Sequence, residues 1–197
     1  MRLLTSVLLL FIFQQLHGQT RQYQSLMDTV LGRQGGIFLY SKPLINLSLD
    51  RQDMWKYAVS LLDNTNKNLD TTMFSQIIQN SKTIDSTLWQ DNESTNCLLV
   101  NSRDQIVSKK YAIEKLALTD KKKIKFYKKQ INEFNSTDTY NRNLYYYSRP
   151  VFDNSKTFAI VQWDNGHGGL GGGGGILLYN LRGDTWTEMG TIMNWKY

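Results

Sequence analysis

The last third of the chain most constrains the fold, because its composition is typical of β-strands. Aromatic and β-branched residues, which favour strands, fill five runs: 145–147, 151–152, 158–163, 176–181 and 186–195. The sequence Arg-Gly-Asp at 182–184 separates the last two runs and is typical of a hairpin turn. The spacing therefore predicts an antiparallel meander near the carboxy terminus.

The part of the chain before this region has a helical period. Apolar residues recur at helical spacing in the segments 26–31, 54–62, 73–78 and 124–134. Asp70 precedes the third segment as a candidate amino-terminal cap, and either Thr119 or Asp120 begins the fourth. Short apolar runs at 37–40 and 97–100 add two candidate strands. This order predicts an α+β fold, in which several amphipathic helices pack on an antiparallel carboxy-terminal sheet.

The amino terminus has the pattern of a cleavable signal peptide. Arg2 precedes a mostly apolar run at 3–13, and Gly18 is a small residue at a plausible cleavage position. The run is shorter than the ~20 residues that a membrane-spanning helix needs, and no second run of that length follows. We therefore expect a signal peptide at 1–18, an exported protein that is periplasmic or secreted, and no transmembrane span in the mature chain.

The remaining chain is expected to form one domain, 19–197, that is held together by its core. It contains one cysteine, Cys97, so a disulfide framework is excluded. A chain of roughly 180 residues buries enough surface to fold without such cross-links. Cys97 adjoins three apolar residues, which predicts a buried strand thiol.

Positive charge is concentrated in one segment. The whole chain has a net charge of +6, and residues 109–129 alone contain nine lysines and two acidic residues, a net charge of +7. Lys122, Lys125 and Lys129 lie opposite the apolar side of the helix predicted at 124–134. This side is either an ordinary solvated helix face or a binding face for an anionic surface.

Residues 166–171 match the G-x-G-x-x-G pattern of dinucleotide-binding proteins. That motif needs a following helix, whose amino-terminal N–H groups bind a pyrophosphate, but a predicted strand follows here. The glycines of 166–175 instead predict a flexible hairpin loop, or a loop whose bare backbone accepts a ligand or a partner strand. His167, Gly168, Gly169 and Gly171 are therefore candidate binding residues.

Catalytic and metal-binding patterns are weak. His167 is the one histidine that remains after signal removal, and a triad would have to combine it with Asp164 or Asp153. No G-x-S-x-G elbow is present, and His167 and Cys97 lack zinc-ligand spacing. We assign no catalytic residue, no metal and no cofactor. Arg149 is a further candidate for binding, and its alternative role is a surface salt bridge.

The carboxy-terminal third resembles a group of uncharacterised exported proteins of Gram-negative bacteria. The resemblance rests on 148–152, 159–161, the glycine tract, Trp186 and Trp195. In that group cysteines often occupy the glycine segment, where this chain has His167 and glycines. The resemblance implies export and a carboxy-terminal meander, and it implies no activity.

These patterns favour a non-enzymatic secreted or periplasmic protein that binds a partner or ligand. The alternative is an envelope-directed hydrolase that uses carboxylates or His167. The partners that remain open are an envelope protein, a glycan and an anionic surface. Nucleic acid is not expected, because export separates the protein from it.

Overall fold

The structure is a computed structural model, which describes residues 23–31, 37–45, 47, 56, 60, 71–93, 96–166 and 171–197. The predicted signal peptide, His167, Gly168 and Gly169 lie outside these ranges, as do Asp70 and most of the helix predicted at 54–62.

A mixed sheet organises the described part of the chain. Its seven strands are β1 (Phe38–Tyr40), β2 (Leu98–Val100), β3 (Leu144–Tyr147), β4 (Val151–Phe152), β5 (Phe158–Gly166), β6 (Gly172–Arg182) and β7 (Thr185–Lys196). The strand order is β2-β1-β3-β5-β6-β7, and β4 pairs with β5. β1 is parallel to both its neighbours, whereas β5, β6 and β7 form the predicted antiparallel meander. The α+β class is confirmed.

Four α-helices lie within the described residues: α1 (23–31), α2 (Thr71–Asn80), α3 (Lys109–Lys115) and α4 (Lys121–Ser136). Asp120 caps α4 as predicted, since its carboxylate accepts a hydrogen bond of 2.8 Å from the Lys123 N–H. Ser108 caps α3 in the same way through the Tyr111 N–H. In this described part, no helix is both long and apolar enough to cross a lipid bilayer.

One face of the sheet packs against α1. Alternate strand residues such as Leu39, Val161 and Leu177 form a buried cluster there with Leu26 and Val30 of α1. Cys97 belongs to this cluster and is 1% exposed, so the predicted buried thiol is confirmed. Burial of this apolar surface is what holds α1 on the sheet.

The opposite face carries the other helices in two separate groups. α2 covers the β5–β7 side, where Phe74 and Ile77 pack with Ile160 and Ile176. α3 and α4 cover the β1–β3 side, where Ile131 packs with strand residues, and the Phe38 and Phe134 rings stack with centroids 4.0 Å apart. The sheet is therefore the middle layer between helices on both sides.

β6 begins at Gly172, four residues before the strand start predicted from its apolar run. The glycines of 172–175 are thus ladder residues. A side chain at Gly174 would lie 2.5 Å from the indole ring of Trp195 and 2.6 Å from the carbonyl oxygen of Trp163. One at Gly175 would lie 3.1 Å from the indole nitrogen of Trp163. Glycine is required because two tryptophans approach the β6 backbone, one from each face.

Gly174→Ala tests this packing. The new methyl group meets a rigid ring and a backbone carbonyl, so we expect the free energy of unfolding in urea to fall by about 1–3 kcal/mol. Asn194→Ala is the matched control, because Asn194 is exposed on the neighbouring strand and its loss should cost less than about 0.5 kcal/mol. Equal stability of both variants would contradict the close packing of Trp195.

Candidate functional site

The sequence-predicted binding residues lie in three different places. His167, Gly168 and Gly169 fall outside the described residues, whereas Gly171 directly precedes β6. Gly171 has a φ of +99°, which favours glycine for conformational reasons alone. A side chain there would also lie 3.5 Å from the Tyr197 carbonyl oxygen.

Arg149 is buried, with 4% of its surface exposed, so a surface salt bridge is the wrong description. Its guanidinium lies 4.2 Å from the centre of the Trp89 ring. It donates hydrogen bonds to the carbonyl oxygens of Thr87 and Leu88, at 3.0 and 2.8 Å, and to the Tyr23 hydroxyl at 2.6 Å. A further bond goes to the carboxylate of Glu93.

This network fixes Arg149 as a structural residue. Burial opposes its charge, but the hydrogen bonds to Glu93 and Tyr23 hold its pKa above the usual value. Burial also raises the pKa of Tyr23, so the phenol stays protonated. Because protein atoms accept bonds from all three guanidinium nitrogens, Arg149 holds α1 and the segment 85–93 on the sheet.

Lys122, Lys125 and Lys129 are exposed on α4, as the helical period predicts. The described contacts do not join them to Gly171 or Arg149. The sequence-predicted residues therefore form no common site within the described residues.

A different set of residues does come together on the face that α2 covers in part. Tyr146 of β3 pairs with Asp164 of β5, Asp164 pairs with Gly174 of β6, and Gly174 pairs with Trp195 of β7. We call these four residues the sheet row. Because directly paired residues point to the same face, the Asp164 carboxylate lies between the Tyr146 ring and the Trp195 indole.

Hydrogen bonds orient the side chains of the sheet row. The Tyr197 hydroxyl donates to Asp164 Oδ2 at 2.6 Å and accepts a bond of 3.1 Å from the Trp195 indole N–H. At the other end, Arg103 Nη2 donates to the Tyr146 hydroxyl at 2.8 Å. The side chains of Tyr146, Asp164 and Trp195 are each partly exposed, so the row is accessible to a ligand.

The two phenols of this region are held as neutral hydrogen-bonding groups. The bond to the Asp164 carboxylate, together with partial burial, raises the pKa of Tyr197. Burial raises the pKa of Tyr146, although the Arg103 guanidinium opposes this shift. At neutral pH the sheet row therefore offers the Tyr146 phenol and the Asp164 carboxylate. The adjacent Tyr197 adds a second phenol, and Arg103 adds a guanidinium donor.

The side chains of the sheet row can bind a ligand through hydrogen bonds and ring contacts. Hydrolysis of a glycosidic bond generally uses two carboxyl groups on either side of the bond, and the sheet row contributes only that of Asp164. Across the described ranges, no group of three histidine, cysteine or acidic residues is placed to hold a metal ion.

Sequence reasoning considered Asp164 only as a partner for His167, and it missed the other members of the row. Tyr146, Trp195 and Tyr197 read as ordinary strand aromatics. The available signal was the glycine tract itself, since glycines in a strand indicate that another group approaches its backbone closely.

Arg149→Lys tests the structural role of the guanidinium. Lysine keeps the charge but loses the planar stack on Trp89 and most of the hydrogen bonds, so we expect a loss of stability on the order of 3 kcal/mol. Arg182→Lys is the control, since Arg182 is exposed near a turn and the change should cost less than about 0.5 kcal/mol. Chemical denaturation followed by circular dichroism measures both, and similar small effects would contradict the assignment.

Comparison with known proteins adds no relative. No family model, no curated protein and no solved structure matches the chain.

Proposed function

We propose that this protein binds a carbohydrate at the sheet row and does not transform it. The observation that carries the proposal is the position of the Asp164 carboxylate between two aromatic side chains, Tyr146 and Trp195, on the same face of the sheet. Ligand sites combine aromatic surface with a few fixed polar groups in this way.

Gly174 supports the proposal through its missing side chain. It lies between Asp164 and Trp195 in the row, and any other residue there would collide with the indole ring. The bare backbone leaves the carboxylate and the ring adjacent, with no side chain between them. A flat ligand can therefore contact both groups at once.

The groups of the sheet row match both the apolar faces and the hydroxyl-bearing edge of a sugar ring. A pyranose presents apolar C–H groups on its faces and hydroxyl groups around its edge. One face of the Trp195 ring packs on Gly174, and Arg103 lies 5.9 Å from the centre of the Tyr146 ring, so the remaining ring surfaces suit the C–H groups. Asp164 accepts hydrogen bonds from hydroxyls. Arg103, whose guanidinium has N–H groups beyond those bonded to Tyr140 and Tyr146, adds a donor to a sugar oxygen. Because hydrogen bonds involving a charged group are the stronger ones, Asp164 is expected to select hydroxylated ligands.

The amino-terminal pattern supports a location outside the cytoplasm, where envelope and extracellular glycans are found. The proposed role is thus that of an exported glycan-binding protein. The resemblance of the carboxy-terminal third to exported proteins agrees with this role.

Isothermal titration calorimetry with soluble oligosaccharides tests the proposal. The panel contains β-linked hexose and N-acetylhexosamine oligomers of two to six units. We expect at least one to bind the wild-type protein. Trp195→Ala should weaken it about tenfold or more through loss of ring contact, and Asp164→Asn should do the same through loss of a charged acceptor.

Phe126→Ala is the matched control, because it removes an exposed aromatic ring from α4 and leaves the sheet row intact. This variant should bind the same oligosaccharide with wild-type affinity. The proposal is wrong if no oligosaccharide binds, or if Asp164→Asn retains full affinity.

Export has a separate test. The full chain is expressed in a Gram-negative host, and the purified protein is analysed by intact-mass spectrometry. We expect a periplasmic or secreted product that begins at Gln19, because cleavage after Gly18 removes the signal peptide. A cytoplasmic product that retains residues 1–18 would contradict the proposal.

A further inference from the structure

One side of α4 combines lysines with an exposed aromatic ring. Lys122, Lys125, Phe126 and Lys129 have the spacing i, i+3, i+4 and i+7, which places them on one side of the helix. We call these four residues the α4 stripe. Ile131 and Phe134 lie on the opposite side and are buried against the sheet, so the stripe faces solvent.

Folding does not explain the charge of this helix. α4 contains six exposed lysines: Lys121, Lys122, Lys123, Lys125, Lys128 and Lys129. None forms a salt bridge with a carboxylate of the described ranges. Lys121, Lys122 and Lys123 lie in the first turn of α4, where positive charge opposes the helix dipole, and Asp120 at the cap is the one carboxylate there.

Core packing does not explain the presence of Phe126 either. It is 56% exposed, whereas Phe38, Phe74 and Phe134 are at most 6% exposed. Its ring meets the Tyr127 ring edge-on, with centroids 5.5 Å apart. A lipid surface offers partners for both kinds of side chain, since its head groups carry negative charge and the region beneath them is apolar.

We propose that the α4 stripe binds the surface of an anionic lipid bilayer. The three lysines attract phosphate groups of the lipid heads, and Phe126 enters the boundary between the head groups and the acyl chains. A hydrated polyanion would satisfy the lysines but leave Phe126 in water, so the bilayer fits the whole stripe better. This inference does not depend on carbohydrate binding at the sheet row.

Flotation of the mature protein, 19–197, with vesicles tests the proposal. One set of vesicles contains phosphatidylcholine with 30% phosphatidylglycerol, and the other contains phosphatidylcholine alone. We expect binding to the first set at low salt, little binding to the second, and progressive release as sodium chloride is raised, because salt screens the head-group charge.

Three variants assign the binding to the stripe. Lys122→Gln, Lys125→Gln and Lys129→Gln together should lower the partition coefficient about a hundredfold. Phe126→Ser should lower it several-fold and leave the net charge unchanged. The matched control combines Lys42→Gln, Lys82→Gln and Arg182→Gln, which removes the same charge from exposed positions on other elements and should have a much smaller effect.

All three variants should melt within a few degrees of the wild-type protein, because the altered residues are exposed. The proposal is overturned if the wild-type protein does not bind anionic vesicles, or if Phe126→Ser binds them as tightly as the wild-type protein does. It is equally overturned if the control loses as much binding as the triple lysine variant of the α4 stripe. It is also overturned if the protein binds a single-stranded oligonucleotide but not the vesicles.

Discussion

The approach of the Trp195 indole to the Gly174 backbone shapes the carboxy-terminal sheet and its proposed binding surface. The ring occupies the space that a side chain on β6 would otherwise fill. Trp163 does the same over Gly175 from the opposite face. Aromatic rings from the neighbouring strands therefore supply the packing that Gly174 and Gly175 lack, whereas backbone carbonyl groups approach Gly172 and Gly173. On one face this packing leaves the Asp164 carboxylate beside an aromatic ring.

Arg149 fixes the packing of the opposite face of the sheet, which carries α1. Its guanidinium joins Tyr23 on α1, the carbonyl groups of Thr87 and Leu88, and the Trp89 ring. These contacts hold two segments that are distant in sequence against the same side of the sheet. A buried charge is costly unless every donor is used, so the network determines how α1 and the loop before β2 dock. On the face that carries the sheet row, a second buried arginine, Arg142, bonds to backbone carbonyl groups near α4.

The sequence was sufficient for the class of fold, because periodicity reports which residues meet a core. The meander, the Asp120 cap and the buried Cys97 all follow from local pattern. The parallel pairing of β1 with β2 and β3 does not, because it joins segments far apart in the chain. The sequence also placed the glycines before Ile176 in a loop, because glycine has low strand propensity. The tryptophans that pack on Gly174 and Gly175 lie on other strands, so their approach cannot be predicted from local sequence.

The sequence also could not show which residues of the candidate site come together. Asp164 is visible as a carboxylate in the sequence, but its position between Tyr146 and Trp195 depends on the register of four strands. Arg149 shows the reverse case, since a charged residue beside a proline suggested binding and proved to be buried by tertiary contacts. Lys122, Lys125 and Lys129 were placed correctly by helical period alone, because exposure on an amphipathic helix is a local property.

The most direct measurement is the nitrogen-15 spectrum of the five tryptophan indole N–H groups during titration with oligosaccharide. We expect the Trp195 signal to shift in a saturable way, because its N–H donates a hydrogen bond to Tyr197 within the proposed site. The Trp163 and Trp89 signals should remain in place, since these rings lie on the opposite face of the sheet. A fixed Trp195 signal, with or without movement of the other two, would contradict binding at the sheet row.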